Sequence, residues 1–450
     1  MAEDYINILD PIIFDNSIES FQYSDYSPQS QHNLDNSGGI IQIDINASDA
    51  YLIPSKSYIH IKGQLVRRDN NNPYPNNTEI ALVNNAMMYL FESISYQIGT
   101  QVVETISSPG QITSMLGYLS YPDDFNTSSG LLSCWSKDTT SNADSSKYAA
   151  SVAAPVAGYI PRENANYNQG FAVRKGLLFD SNPNGHFSFL IPFDHIFGFG
   201  SYNKVIYNIK HTLKFTRKST DNLAIHRAGG VQDGKIKLTS ITWRVPEVKL
   251  ELSKLMEIRN VIESKQPISV GFQARNTDSA VVSQTREFAW RINVISGIEK
   301  PRWIIVGFQT DKNDTQEQNP AVFDNLNLEN AYVKLNSDKY PAEDITFNFE
   351  TNDYALLYEM FDNFKKEYYG FNSLVGCTQV NFSTFKSLFP IIVFDVRHQS
   401  EKLAVGIIDM QLRFKFRDAV PANTTAYVTI ISDRIYRLQS DGKNLIMVSN

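Results

Sequence analysis

The sequence predicts an all-β chain built from two similar halves. Three observations carry this: an aromatic-rich composition, strands with alternating side chains, and one pattern that is written twice. The chain has 450 residues, of which 42% are hydrophobic and 20% charged. That is enough to bury the cores of two ordinary domains. It contains 27 Phe and 23 Tyr, residues that favour strands over helices.

The repeated pattern occupies Phe187–Arg217 and Ser387–Arg417. Each copy has a short apolar run with Pro, then Phe-Asp, then a polar break, then a long alternating stretch ending in Lys-Phe. Phe193-Asp194 matches Phe394-Asp395 at the same spacing at which Lys214-Phe215 matches Lys415-Phe416. Tyr207, Ile209, His211, Leu213 and Phe215 share one parity; Ile408, Met410, Leu412, Phe414 and Phe416 share the matching one. A strand has a side-chain period of two, so each copy predicts one half-buried strand. The repeat is far longer than the roughly 20–50 residues of a solenoid unit, which points to tandem domains.

Residues 1–39 are polar and weakly periodic, and read as an extended N-terminal arm. Strand signals begin at Ile40–Ile45 and continue at Ser57–Arg67. Residues 69–78 are dense in Asn and Pro, the composition of an exposed loop. Met88–Glu104 reads as a strand, a tight turn at Gly99-Thr100 and a return strand. Ser108-Pro109 predicts a helix start, with Ser as cap and Pro at the first helical position. Ile112, Met115, Leu116 and Leu119 follow at helical spacing.

The second half repeats this order. Phe288–Ser296 and Trp303–Thr310 are predicted strands, with Gly307 in the place of Gly63, and 311–320 is the matching polar loop. Tyr332, Val333 and Leu335 predict a strand, with its turn at Lys339-Tyr340-Pro341. Asn352 or Asp353 is the expected cap of a helix bearing Tyr354, Leu357, Tyr358 and Phe361. Gly63 and Gly307 lie further apart than the later matched pairs, so the first half holds extra residues. They fall in 121–184, a long Ser-, Ala- and Asn-rich insertion expected to project from the surface. Leu252, Leu255, Ile258 and Ile262 predict a helix between the halves. The expected partition is therefore an arm at 1–39, a first domain at 40–250 containing the 121–184 insertion, a linker helix at 251–266 and a second domain at 267–450.

Chemistry is sparse. The two cysteines, Cys134 and Cys377, form no C-x-x-C pair and read as free thiols of a reducing compartment. The seven histidines are scattered, with no H-x-H or H-E-x-x-H. A paired β-barrel metalloenzyme of the bicupin type would need an H-x-H pair. His211 lies in an apolar column whose second-half counterpart is Leu412, so it reads as a core residue. No nucleophile elbow and no phosphate-binding glycine loop occurs. Asp123-Asp124 and Glu343-Asp344 read as solvated turn residues. No catalytic, cofactor-binding or metal-ligating residue is assigned, no cofactor is expected, and the chain is not read as an enzyme. A net charge of −7 argues against a main surface laid on nucleic-acid phosphate. Arg67-Arg68 and Arg413, Lys415, Arg417 are the densest basic groups; the latter alternate on the outward face of a strand, where solvated charges or a subunit contact are the usual explanation. The acidic start lacks a basic region before an apolar core, so no secretory signal is expected. No apolar run approaches the ~20 residues of a membrane helix.

Several stretches together resemble a known family. Tyr89–Glu104 (YLFESISYQIGTQVVE) followed by a short helix looks like the first-domain signature of double jelly-roll major capsid proteins. HFSFLIPFDHIFGF at 186–199, EKPRWIIVGFQTDKND at 299–314, FPIIVFDVRHQSEKL at 389–403 and VPANTTAYVTIISDR at 420–434 resemble the capsid proteins of the Polinton and adintovirus group. The resemblance runs from about Ile40 onward, and leaves out the arm and the segment around 128–156. It implies two tandem eight-stranded antiparallel jelly rolls with short helices in the loops. It also implies a major capsid protein that forms homotrimers of pseudo-hexameric outline. Neighbouring trimers, penton and minor capsid proteins would be its partners in an icosahedral shell around double-stranded DNA, with no sequence-specific nucleic-acid contact. Its place would be the virion, after synthesis inside the host cell; an underlying membrane is left open. The alternative is a tandem jelly-roll carbohydrate-binding module of lectin type, suggested by Tyr74 and the Asn-rich loop Asn70–Asn72 and Asn76-Asn77.

Overall fold

The structure is a computed structural model. It describes residues 17–29, 34, 38–46, 51–148, 163–180, 184–292, 300–371, 378–398, 408–440 and 445–449. The first half contains strands β1 (Ile18–Tyr26), β2 (Ile40–Ile45), β3 (Tyr51–Leu52), β4 (Tyr58–Arg67), β5 (Ile80–Leu82), β6 (Phe91–Ile98), β7 (Gln101–Ser107), β8 (His186–Pro192), β9 (Ile206–Tyr207), β10 (His211–Arg217), β11 (Ile225–Arg227) and β12 (Gly234–Leu250). The second contains β13 (Ile268–Val281), β14 (Glu287–Ile292), β15 (Lys300–Thr310), β16 (Leu328–Leu335), β17 (Asp338–Tyr340), β18 (Ile392–Asp395), β19 (Met410–Phe416), β20 (Thr424–Ser440) and β21 (Leu445–Ser449). The helices are α1 (Ala86–Tyr89), α2 (Pro109–Ser120), α3 (Gln169–Phe179), α4 (Phe193–Ile196), α5 (Leu252–Glu263), α6 (Ala355–Tyr369) and α7 (Phe382–Leu388).

The two halves have one topology. In the first, β1-β12-β4-β8 form one antiparallel sheet and β2-β10-β6-β7 the other. In the second, β13-β20-β15-β18 and β14-β19-β16-β17 repeat both orders. Each half is thus an eight-stranded sandwich in which successive strands of the eight alternate between the two sheets except at the hairpins β6–β7 and β16–β17, the arrangement of a jelly roll. β3, β9 and β21 extend these sheets, and β5 pairs with β11 apart from them.

The cores follow from the alternation. Tyr96 on β6 packs within ring-centroid distances of 6.0 Å of Trp243 on β12 and 5.0 Å of Phe193. Two facing sheets therefore meet through aromatic side chains, which bury large areas with few rotamers to fix. In the second roll Phe308 on β15 meets Phe414 and Phe416 on β19 at 5.1 and 5.6 Å. His211 is buried in its column as expected, and Leu412 is buried in the matching one.

Several expectations need correction. The arm is not wholly outside the fold: Ile18–Tyr26 pairs along β12, from Ile18 opposite Leu250 to Tyr26 opposite Trp243. Its signal was weak because Ile18, Phe21 and Tyr23 stay exposed, so no apolar face alternates clearly. The long alternating stretch before Arg217 is two strands. Ile206-Tyr207 pairs with β3 in one sheet; Asn208, at φ +49°, turns the chain; and His211–Arg217 enters the other sheet. Phe193-Asp194 opens a helical turn, whereas Phe394-Asp395 ends a strand, so that match is of residue type only.

The helix starts are right in place and wrong in capping. Ser108 sits at φ +49° and makes no side-chain cap; Tyr354, not Asn352 or Asp353, precedes α6. Lys339-Tyr340 belong to β17, and the turn lies at Asn336, φ +55°. The insertion is anchored to the fold at a few buried positions, while most of its described residues stay exposed or half-buried. Trp135 is fully buried against Tyr118 and Tyr121, and α3 ends the segment, while 149–162 lie outside the described residues. The expected linker helix is α5, and none of its residues is buried.

Candidate functional site: the seam between the rolls

The described residues hold no group of three or more His, Cys, Asp or Glu placed to bind a metal ion. The most developed arrangement of buried polar chemistry is the seam where the rolls meet. It is built from β7 of the first roll and β13 and β20 of the second.

Glu104 on β7 is its centre. A bulge breaks the strand parity of β7: the β6–β7 pairing shifts between Tyr96 and Gln97 and leaves Val103 without a cross-strand partner, so Val103 and Glu104 are both buried although they are adjacent. One carboxylate oxygen accepts backbone N–H bonds from Gly198 at 3.2 Å and from Arg275 at 2.7 Å; the other accepts one from Phe199 at 2.7 Å. A buried carboxylate is costly unless its lone pairs are filled. Burial pushes its pKa up, and the N–H donors with the Arg275 and Arg434 guanidinium groups act against that rise. Gly198 is required here by close approach: an added Cβ would lie 1.9 Å from the carbonyl oxygen of Gln273.

Arg275 crosses back to the first roll, donating to the carbonyls of His195 at 2.7 Å and Asp194 at 2.8 Å. Arg434 donates to the Val103 carbonyl at 2.8 Å and to Asn276 Oδ1 at 2.8 Å. The Ser107 N–H donates to Thr277 Oγ1 at 2.9 Å. Beneath Arg275, His195 bonds Tyr121 through Nδ1 at 2.5 Å and Asn85 through Nε2 at 3.0 Å. Burial, with Arg275 nearby, holds its pKa down to about 3.

Further along the seam, α2 is buried on every side rather than along one stripe, from Pro109 to Leu119. The second roll covers it. Tyr89 and Tyr118 donate to the carbonyls of Pro320 and Ala321 at 2.8 and 2.9 Å, and Tyr118 lies 4.2 Å from the Phe389 ring. Gln379 Nε2 donates to the Gly117 carbonyl at 2.8 Å. At the loop end, the Gln316 side chain accepts from Gly234 N–H and donates to Gly234 carbonyl, both at 2.8 Å. That amide imitates a neighbouring strand on the end of β12.

The sequence-derived candidates fall elsewhere. Tyr74 is buried, its hydroxyl donating to Gln232 carbonyl at 2.8 Å, so it forms no exposed aromatic platform. Arg67 and Arg68 pair with Asp69 and Asp233 at 2.8 and 3.1 Å. Lys415 and Arg417 pair with Glu329 and Glu350, each at 3.2 Å. Cys134 is a buried free thiol whose pKa burial pushes up to about 12; Cys377 lies outside the described residues. Glu104, Arg275 and Gln316 carried no sequence signal, since each is a single polar residue among many on strands and loops.

The fold is shared with viral capsid proteins at very low sequence identity. The structure of the Sputnik virophage is similar with a TM-score of 0.61 at 10% identity, over 99% of this chain and 91% of that one. The PBCV-1 virus capsid is similar with a TM-score of 0.54 at 10% identity, over 98% and 100% of the two chains. The mavirus major capsid protein is similar with a TM-score of 0.51 at 11% identity, over 98% and 92%. No curated protein matches the sequence. A family model described as the double jelly roll-like domain matches residues 164–436, more than half of the chain. With the paired strand orders and that match, the chain belongs to the double jelly roll-like domain family.

Proposed function

We propose that the protein is the major capsid subunit of a double-stranded DNA virus or virus-like transposon of the Polinton and adintovirus group. The observation that carries the reading is the seam: two jelly rolls are locked side by side by buried hydrogen bonds, so each chain acts as a two-column tile. Three such chains around an axis present six rolls, which is the pseudo-hexameric trimer of the proposal. The likeness in fold to capsid proteins of Sputnik, PBCV-1 and mavirus supports it. In this reading the rolls span 40–250 and 267–450, β1 joins the first from within the arm, and 251–266 connects them.

The trimers would pack with one another, with a penton protein and with minor proteins, in the shell of a virion enclosing double-stranded DNA. The function is mechanical, and no residue is assigned a catalytic, cofactor or metal role. The carbohydrate-binding alternative loses its aromatic platform with the burial of Tyr74. Light scattering and negative-stain imaging of the purified protein test the proposal. A trimeric mass and three-lobed or hexagonal particles are expected; a monomer at all concentrations sinks it.

A further inference from the structure

At the end of the first roll where β4 finishes and β12 begins, a cleft of about 590 Å³ is lined by Arg68, Arg217, Lys235 and Lys237 together with Ser219, Thr220, Asn71 and Asp221. Four cations and one carboxylate meet there in a chain whose net charge is −7. The carboxylate is already used: Asp221 accepts from Arg217 at 2.7 Å and from the Ile236 N–H at 2.9 Å. Arg68 is turned toward Asp233 and Asn222. Lys235 and Lys237 have no acidic partner among the described residues. They share the outward parity of β12, about 7 Å apart, as residues two apart on a strand must be. Both residues line the cleft, and neither is paired with a carboxylate among the described residues.

We propose that this cleft binds a short sugar bearing sulfate or phosphate esters. The unpaired lysines supply point charges for the ester oxygens. Ser219, Thr220 and Asn71 supply neutral partners for hydroxyl groups. The volume lies in the range of small-ligand sites, roughly 300–1,000 Å³, and fits a di- or trisaccharide. A nucleic-acid duplex suits it poorly. Its phosphates repeat over a long track, and Asp69, Asp233 and Glu317 flank the cleft beside Arg68 and Arg227, where they repel a polyanion. The site is independent of the capsid reading, because it rests on this chain's own cleft.

Isothermal titration calorimetry on the full chain at low salt tests the inference. The probes are a heparin-derived disaccharide, the same disaccharide without sulfates, inorganic phosphate and a short DNA duplex. The sulfated disaccharide is expected to bind, the desulfated one to bind at least about tenfold more weakly, and added salt to weaken binding. Lys235→Glu with Lys237→Glu is expected to abolish binding, and the Lys235→Gln, Lys237→Gln pair to weaken it, with the melting temperature of both unchanged. Failure of the sulfated disaccharide to bind overturns the proposal. So does binding that survives the charge reversal, tighter binding of the duplex, or binding of phosphate alone with none of the sugar.

Discussion

The carboxylate of Glu104, in the first roll, accepts a 2.7 Å hydrogen bond from the backbone N–H of Arg275, in the second. It is the only acceptor among the described hydrogen bonds that also serves the backbone N–H groups of Gly198 and Phe199. Replacing Glu104 by Ala leaves three inward N–H groups without their partner. The expected loss is about 2–4 kcal/mol at neutral pH, read as a lower urea midpoint. Because burial raises this carboxyl's pKa, the folded chain takes up its proton at higher pH than the unfolded chain does. Its contribution to stability therefore falls as pH rises from the ordinary carboxyl value through the raised one. The gap between wild type and Glu104→Ala is expected to widen as pH is lowered through that window.

Arg174 and Asp138 form an ion pair at 2.6 Å with both side chains fully buried. Arg174 also donates to the Leu82 carbonyl at 2.8 Å. Arg174→Met strands a carboxylate inside the protein and is expected to destabilise it by about 3–5 kcal/mol. Adding Asp138→Leu removes the stranded charge and is expected to recover part of that loss. A double-mutant cycle by chemical denaturation measures the coupling.

His211 is held neutral, its pKa brought down by burial to about 4, with its Nδ1 bonded to the Tyr96 hydroxyl at 2.7 Å. The unfolded chain takes up this proton at higher pH, near the ordinary histidine value of 6.5. The stability that depends on neutral His211 is complete above that value and is lost as pH falls toward 4. The His211→Leu variant, which copies Leu412 of the second roll, is expected to show a shallower fall in melting temperature between pH 6.5 and 4.

Gly117 lies in α2, where Ala has a better intrinsic propensity by about 1 kcal/mol. Its added Cβ would nevertheless stand 2.2 Å from the Trp135 ring. The clash decides the sign, because Trp135 is fully buried and packed by Tyr118 and Tyr121. Gly117→Ala is expected to destabilise the protein by about 1–3 kcal/mol, whereas a helix without that neighbour would gain.

Burial keeps the Cys134 thiol protonated. In a Cys377→Ser background, a disulfide-exchange reagent is expected to label no thiol in the native protein and one in urea. Labelling of the native variant at neutral pH would show that Cys134 is exposed by local opening.

How far the sequence led depends on what each residue's neighbours were. Strands with one buried face, such as Ile94, Tyr96 and Ile98, were legible because alternation is a local property. β1 was not, since its outer residues stay apolar and exposed and its pairing partner, β12, lies more than two hundred residues away. The break at Asn208 was hidden because the side-chain parity continues across it while the strand changes sheets. α2 showed its helical spacing but not its burial, which needs the second roll against its other side. The seam was invisible for the same reason: Glu104 acquires its role only from Gly198, Phe199 and Arg275. The cationic cleft gathers Arg68, Arg217 and the two lysines of β12, residues that no window of sequence brings together.

The pairing of β1 with β12 has a consequence for synthesis. A ribosome releases Ile18 long before Leu250, so β1 must wait as an unpaired edge until almost the whole first half has emerged. β13 waits in the same way for Leu438. Because α2 is covered by Pro320, Ala321 and Phe389, the first roll also keeps an apolar helix uncovered until the second is nearly finished. Such long-range closure is slow and leaves the nascent chain open to aggregation. Expression should therefore depend on chaperone supply more strongly than the stability of the finished protein would suggest.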